Sequence, residues 1–132
     1  MIVVDASIAA KWTFREEDSD RALAIAQRDE VLAAPSIIVA ELSSVAWKRV
    51  RRGQWERSDA SASVSIAIGL LDVVVPAEAL WERALGLAME TDHPVYDCFY
   101  LALAEREKAP LASADSRMRD LARMQGVAIE TF

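Results

Sequence analysis

Short apolar runs alternate with amphipathic helical patterns along the whole chain, and this alternation restricts the fold more than any other feature. Met1 to Val4 is an apolar run ended by Asp5, and from Ala6 to about Phe14 the spacing turns helical; Ser19 to Arg28 continues as helix. Val31 to Ala33 predicts a second strand. Pro35-Ser36 then starts a long helix with Ser36 as cap and Ile37, Ile38, Leu42 and Val45 as its buried stripe, ending near Gly53. Ser58 to about Ile68, closed by Gly69, completes a helical hairpin. Leu71 to Val75, ended by Pro76, reads as strand and Ala79 to Met89 as helix. The strongly apolar helix Tyr96 to Lys108, the strand Pro110 to Ala112, the helix Ser116 to Met124 and a final strand Val127 to Ile129 follow. Parallel neighbours need helical crossovers, so the expected fold is an α/β sandwich. Its central, mostly parallel sheet of about five short strands is flanked by helices. Residues 1–132 read as one domain, with no internal repeat or linker.

A chain of 132 residues, 53% of them hydrophobic, can bury a core without covalent help. Cys98 is the only cysteine, so no intramolecular disulfide forms and a reducing compartment fits. Asp5 interrupts the apolar opening and no basic segment precedes it. Apolar runs such as Cys98 to Ala104 fall far short of the roughly 20 residues a bilayer requires. A cytoplasmic location without membrane insertion is expected. A net charge of -6 argues against non-specific binding to nucleic acid, so any such contact must be local. Lys48, Arg49, Arg51, Arg52 and Arg57 form one basic patch at a helix end, which serves either to complement the helix dipole or to contact RNA.

In open α/β sheets the functional crevice lies beyond the carboxyl ends of the strands, which singles out Asp5 and Asp115. Glu41 stands four residues after Ile37 and four before Val45, on the helix face expected to be buried. There it needs either an arginine partner or a cleft to reach, because an unpaired buried ion costs several kcal/mol. Asp97 opens the most apolar helix. It can stabilise that terminus through the dipole, and Asp5, Ser7 and Asp115 can cap helices. Gathered at one sheet edge, the four acids would instead form a pocket whose mutual repulsion a cation relieves. With one Cys and one His, zinc in a Cys/His site is excluded, and oxygen donors favour Mg²⁺ or Mn²⁺.

Ile2-Val3-Val4-Asp5-Ala6-Ser7, Ala40-Glu41-Leu42 after Pro35-Ser36, Tyr96-Asp97 opening an Ala/Leu-rich helix, and Ser113-Ala114-Asp115 occur in the order of the PIN-domain motifs. The chain resembles that family over nearly its whole length, and within it the VapC-type toxin ribonucleases of toxin-antitoxin pairs. The resemblance implies a PIN-like sandwich, metal-ligand and catalytic roles for Asp5, Glu41, Asp97 and Asp115, and supporting hydroxyls at Ser7 and Ser113. The last motif more often carries Thr where Ser113 stands, and a role for Asp120 is left open. RNA cleavage leaving a 5′-phosphate, inhibition by a cognate antitoxin, and a homodimer are also implied.

Carboxylates around Mg²⁺ can lower the pKa of water, orient it for in-line attack on phosphorus and stabilise the leaving oxygen. A two-histidine route is closed because His93, a loop residue beside Pro94, is the only histidine. No Gly-x-Ser-x-Gly elbow or Gly-rich phosphate loop appears, and Cys98 reads as a core side chain. Trp12, Trp47, Trp55 and Trp81 are expected in the core before a partner surface, although Trp47 and Trp55 flank the basic helix end of the hairpin and the small-residue face from Ser61 to Ala67 suits a partner helix. Two alternatives remain: a receiver-type Mg²⁺-binding signalling domain, which lacks its late-strand lysine and paired acids here, and a PIN fold that only binds a partner, against which all four acids weigh.

Overall fold

The computed structural model describes residues 1–132. The elements run β1 (Ile2–Val4), α1 (Ala6–Lys11), α2 (Ser19–Ala26), β2 (Leu32–Pro35), α3 (Ile37–Arg51) and α4 (Arg57–Gly69). They continue as β3 (Val73–Val75), a 3-10 turn (Ala77–Ala79), α5 (Trp81–Thr91), α6 (Val95–Glu107), β4 (Leu111–Ala112) and α7 (Ser116–Met124). The sheet is parallel throughout, in the order β3-β2-β1-β4. Val3 at its centre registers with Ala33 on one side and Leu111 on the other.

Every residue of β1 and β2 is buried, as a parallel strand covered on both faces must be. Helix α6 lies across β1 and β2 and packs against α5; its Cys98 and Tyr100 to Ala104 are buried, which is why its sequence shows no polar face. Edge strand β3 leaves Val73 and Val74 partly exposed. The α3–α4 hairpin turns at Gly53, whose φ of +71° lies in the left-handed region that glycine enters without a Cβ penalty. No helix is long and apolar enough to cross a membrane.

Strand order places β2 and β3 on one side of β1 and β4 on the other. The chain therefore reverses direction across the sheet beside β1, and the crevice past the carboxyl ends of β1 and β4 is the switch point. Asp5 and the Ser113–Asp115 segment lie there.

The structure revises several expectations. The fifth strand shrinks to one parallel bridge, Ile129 to Leu111, because β4 is only two residues long and offers a ladder for just two bonds: Leu111 N–H to the Ala128 carbonyl and Glu130 N–H to the Leu111 carbonyl. Helix α1 stops at Lys11 rather than near Phe14. Ser36 makes no side-chain cap for α3; its hydroxyl accepts the Ala77 N–H at 2.9 Å, tying the start of α3 to the segment after β3. The buried stripe of α3 is Ile38, Leu42 and Ala46, with Ile37 and Val45 half-buried. That one-residue rotation leaves Glu41 on the rim of the core. Two of the four tryptophans are also outside it. Trp12 is buried and donates its indole N–H to the Ala22 carbonyl, and half-buried Trp55 lies 4.3 Å from Phe14 between ring centroids. Trp47 and Trp81 are half exposed or more.

Candidate active site

Asp5 leaves β1 and caps α1. Its Oδ1 accepts the Ser7 hydroxyl at 2.5 Å and the Ile8 N–H at 3.1 Å, and the residue is 5% exposed. Burial pushes its carboxyl up to about 6; hydrogen bonds from Ser113, Ser7 and Ile8 oppose that rise, and the charge of Asp97 adds to it. Ser7 also receives the Ala114 N–H at 2.9 Å, linking Asp5 to the loop after β4. Fully buried Ser113 accepts the Asp115 N–H at 3.1 Å. Both serine hydroxyls therefore tie the ends of β1 and β4 together.

Glu41 comes from the second turn of α3. No arginine meets it; Oε1 accepts the hydroxyl of Tyr100 at 2.8 Å. Burial raises its pKa, the Tyr100 hydrogen bond opposes that rise, and the charges of Asp5 and Asp97 add to it. Asp97, in the first turn of α6, places Oδ2 2.9 Å from His93 Nε2. Asp115 is exposed and caps α7, accepting the Arg117 N–H at 2.9 Å.

Asp5, Glu41 and Asp97 thus arrive from three elements close enough to perturb one another electrostatically. Asp115 stands apart from that mutual repulsion but shares a groove of about 470 Å³ with Glu41, Ser7, Lys11 and Lys48. No three His, Cys, Asp or Glu side chains close on one point as a finished metal-ligand set. The donor chemistry fits a hard divalent cation all the same: the donors are anionic oxygens, and neither Asp5, Glu41 nor Asp115 has a basic partner. Cys98 is no ligand, since it is buried and its thiol is pushed up to about 11 by desolvation and the charge of Asp97.

The basic patch divides. Lys48 lines the groove, and Arg49 is held by Glu16 at 3.1 Å and lies over the Phe14 ring. Arg51 lies over Trp47, and Arg52 is exposed where α3 ends. Three contributors escaped the sequence reading. Tyr100 and His93 hold two of the acids, and both sit at helical spacing around Asp97, at i+3 and i-4. Lys11 bonds Glu16 at 2.6 Å and Asp18 at 2.8 Å on the groove wall. Asp120 pairs with Arg123 on the exposed side of α7, outside the acid cluster.

The family model described as PIN domain matches residues 2–124. The chain belongs to the PIN-domain family. This PIN domain is 30% identical over 122 residues to Ribonuclease VapC3 of Pyrobaculum aerophilum, covering 90% of the chain and 92% of that relative. It is likewise 30% identical over 129 residues to Ribonuclease VapC9 of Mycobacterium tuberculosis, covering 95% and 94%. Among solved structures it resembles VapBC2 from Rickettsia felis, bound to a DNA fragment from its promoter, with a TM-score of 0.74 at 16% identity over 100% of this chain and 99% of that one. VapC20 of Mycobacterium tuberculosis, described as a sarcin-ricin loop cleaving toxin, gives 0.69 at 19% over 91% and 94%. At such identities the two structures speak for the PIN fold alone. Family membership sets aside the receiver-type alternative.

Proposed function

We propose that this PIN domain is an endoribonuclease that hydrolyses RNA phosphodiester bonds with the help of Mg²⁺ or Mn²⁺, and that it is the toxin of a type II toxin-antitoxin pair. The observation that carries the reading is the meeting of Asp5, Glu41 and Asp97 at the switch point of the sheet, Asp5 and Glu41 without a basic partner, beside a groove that also holds Asp115 and Lys48. Relatives named as VapC ribonucleases support it.

Asp5, Glu41, Asp97 and Asp115 would hold the cation, which supplies a Lewis acid that makes water more acidic and offsets charge on the leaving oxygen. Ser7 and Ser113 keep Asp5 at the end of β1, and His93 fixes the carboxylate of Asp97. Metal-free proton shuttling between two imidazoles is closed, since His93 is the only histidine and is engaged with Asp97. Lys48 offers a cation for the RNA backbone a short way along the groove, with Arg49, Arg51 and Arg52 extending the basic surface at the end of α3. Lys48→Ala should lower RNA affinity and reduce the slope of log affinity against log salt by about 0.7, the release of one phosphate counterion from a single strand. A filter-binding salt series reads this, and an unchanged slope removes Lys48 from the RNA path.

The α3–α4 hairpin bears a groove of about 560 Å³ lined by Ala46, Trp47, Ala60, Val64 and Ile68 with serines between them. That lining suits the apolar face of an antitoxin helix and accounts for the exposure of Trp47. Trp81, Leu85 and Met89 recur every fourth residue on the exposed side of α5, a stripe that favours a homodimer.

The test of the activity is incubation of purified protein with total cellular RNA in Mg²⁺, Mn²⁺ or EDTA. Discrete products that require the metal are expected. Cleavage that persists in EDTA, or none in either metal, overturns the reading.

A further inference from the structure

We propose that Tyr100 is a positioning residue for the metal-ligating carboxylate Glu41, its buried hydroxyl acting as a strut that holds Glu41 at the acid cluster. The inference rests on reading that cluster as a metal site.

Glu41 is the one acid of the cluster on a long side chain. Asp5 and Asp97 are a single methylene from the backbone, and each is steadied locally, by Ser7 and Ile8 or by His93. Glu41 has more rotatable bonds to order, and no ion pair fixes it. Its partner is the Tyr100 hydroxyl at 2.8 Å, reaching from another helix 59 residues away in sequence. The Tyr100 ring is 1% exposed and packed in the core, so the hydroxyl is held on a rigid mount. Tyr100 stands three residues after Asp97 on α6, and one helix therefore supplies an acid of the cluster and the strut for a second acid. The charges of Glu41 and Asp5 both bear on this hydroxyl, so it faces two acids of the cluster.

A phenylalanine would fill this core position as well as tyrosine does. What the hydroxyl adds is a neutral donor that orders a carboxylate without cancelling its charge. An arginine in the same place would have paired with Glu41 and weakened its attraction for a cation. Outer hydrogen bonds of this kind typically carry a tenfold to hundredfold effect on metal affinity.

The experiment is calorimetric titration of metal-free protein with Mn²⁺, without RNA, for wild type, Tyr100→Phe, Glu41→Gln and the double variant. Tyr100→Phe should fold, as judged by circular dichroism, and bind Mn²⁺ roughly tenfold or more weakly. In the Glu41→Gln background the same change should make little further difference, because a strut has nothing left to hold. Wild-type affinity in Tyr100→Phe, or an equal loss in both backgrounds, overturns the proposal; the latter would mean that Tyr100 acts through packing. If wild type shows no Mn²⁺ binding that Asp5→Asn abolishes, the metal-site reading falls first and the strut with it. Should Tyr100→Phe fail to fold, Tyr96→Phe leaves Tyr100 as the only tyrosine, and its ultraviolet resonance Raman doublet reports whether the hydroxyl donates. Donation retained on Mn²⁺ addition supports the strut, and loss of the donor signature overturns it.

Discussion

Asp97→Asn is expected to remove metal-dependent RNA cleavage by roughly a thousandfold while leaving a folded domain. A cation's charge stabilisation at phosphorus is worth several kcal/mol, and about 1.4 kcal/mol is tenfold in rate, so a site that no longer retains its metal loses about three decades. The fold survives because the Asp97 side chain is 28% exposed and the buried residues that anchor α6, Cys98 and Tyr100 to Ala104, are untouched. Loss of a carboxylate from a helix first turn costs about 0.3–1 kcal/mol. Against this, Asp5 and Glu41 are each relieved of a repelling charge. The amide oxygen can still accept from His93 Nε2. Initial rates on one RNA substrate, beside melting curves in EDTA, give both halves of the result. Cleavage near the wild-type rate would exclude Asp97 from the site, and an unfolded variant would make it a structural residue.

The parts of this molecule legible in its sequence are those governed by local rules. Helix α7 runs from Ser116 to Met124 as expected because Asp115 caps one end and Gly126, at φ +75°, follows the other. Asp5 and the Ser113–Asp115 segment were traceable to one crevice because strand ends in a parallel sheet point the same way. What escaped depends on contacts between distant segments. Periodicity put Glu41 on the buried row of α3, yet packing of α3 against α4 and α1 selected Ile38, Leu42 and Ala46. The partner of Glu41 is a tyrosine on α6 rather than an arginine, which no pattern within α3 encodes. His93 read as a loop residue and does lie between helices, but its bond to Asp97 depends on how that loop turns at Asp92, whose φ is +53°. Trp47 and Trp81 look like core residues by type; their exposure makes sense only once the α3–α4 groove and the outer face of α5 are seen to lack a covering element.

Asp5→Asn should stabilise the metal-free domain by about 3 kcal/mol at pH 8, and the order of stabilities should reverse when Mn²⁺ is added. The folded-state pKa of Asp5, about 6, lies above its ordinary value of 3.8, so the native state holds this proton more tightly than the unfolded chain does. The contribution of Asp5 to stability is therefore complete below about pH 4, declines as pH rises through the window from 3.8 to about 6, and is absent above it. About two pH units at about 1.4 kcal/mol each amount to about 3 kcal/mol. Asparagine is a helix cap as good as aspartate, keeps an acceptor for Ser7 and Ile8, and cannot ionise. Wild type and variant should thus melt together near pH 4 and separate by roughly 10 °C at pH 8 in EDTA, with the variant higher. Mn²⁺ binds only the folded protein and adds about 4.1 kcal/mol at a thousand times its Kd, a gain the variant forfeits with its ligand and one that exceeds its advantage of about 3 kcal/mol. A variant that melts below wild type at pH 8 without metal would mean that Ser7, Ser113 and Ile8 already satisfy the charge. Asp5 would then be a structural cap, and the cation would have no stored repulsion to relieve.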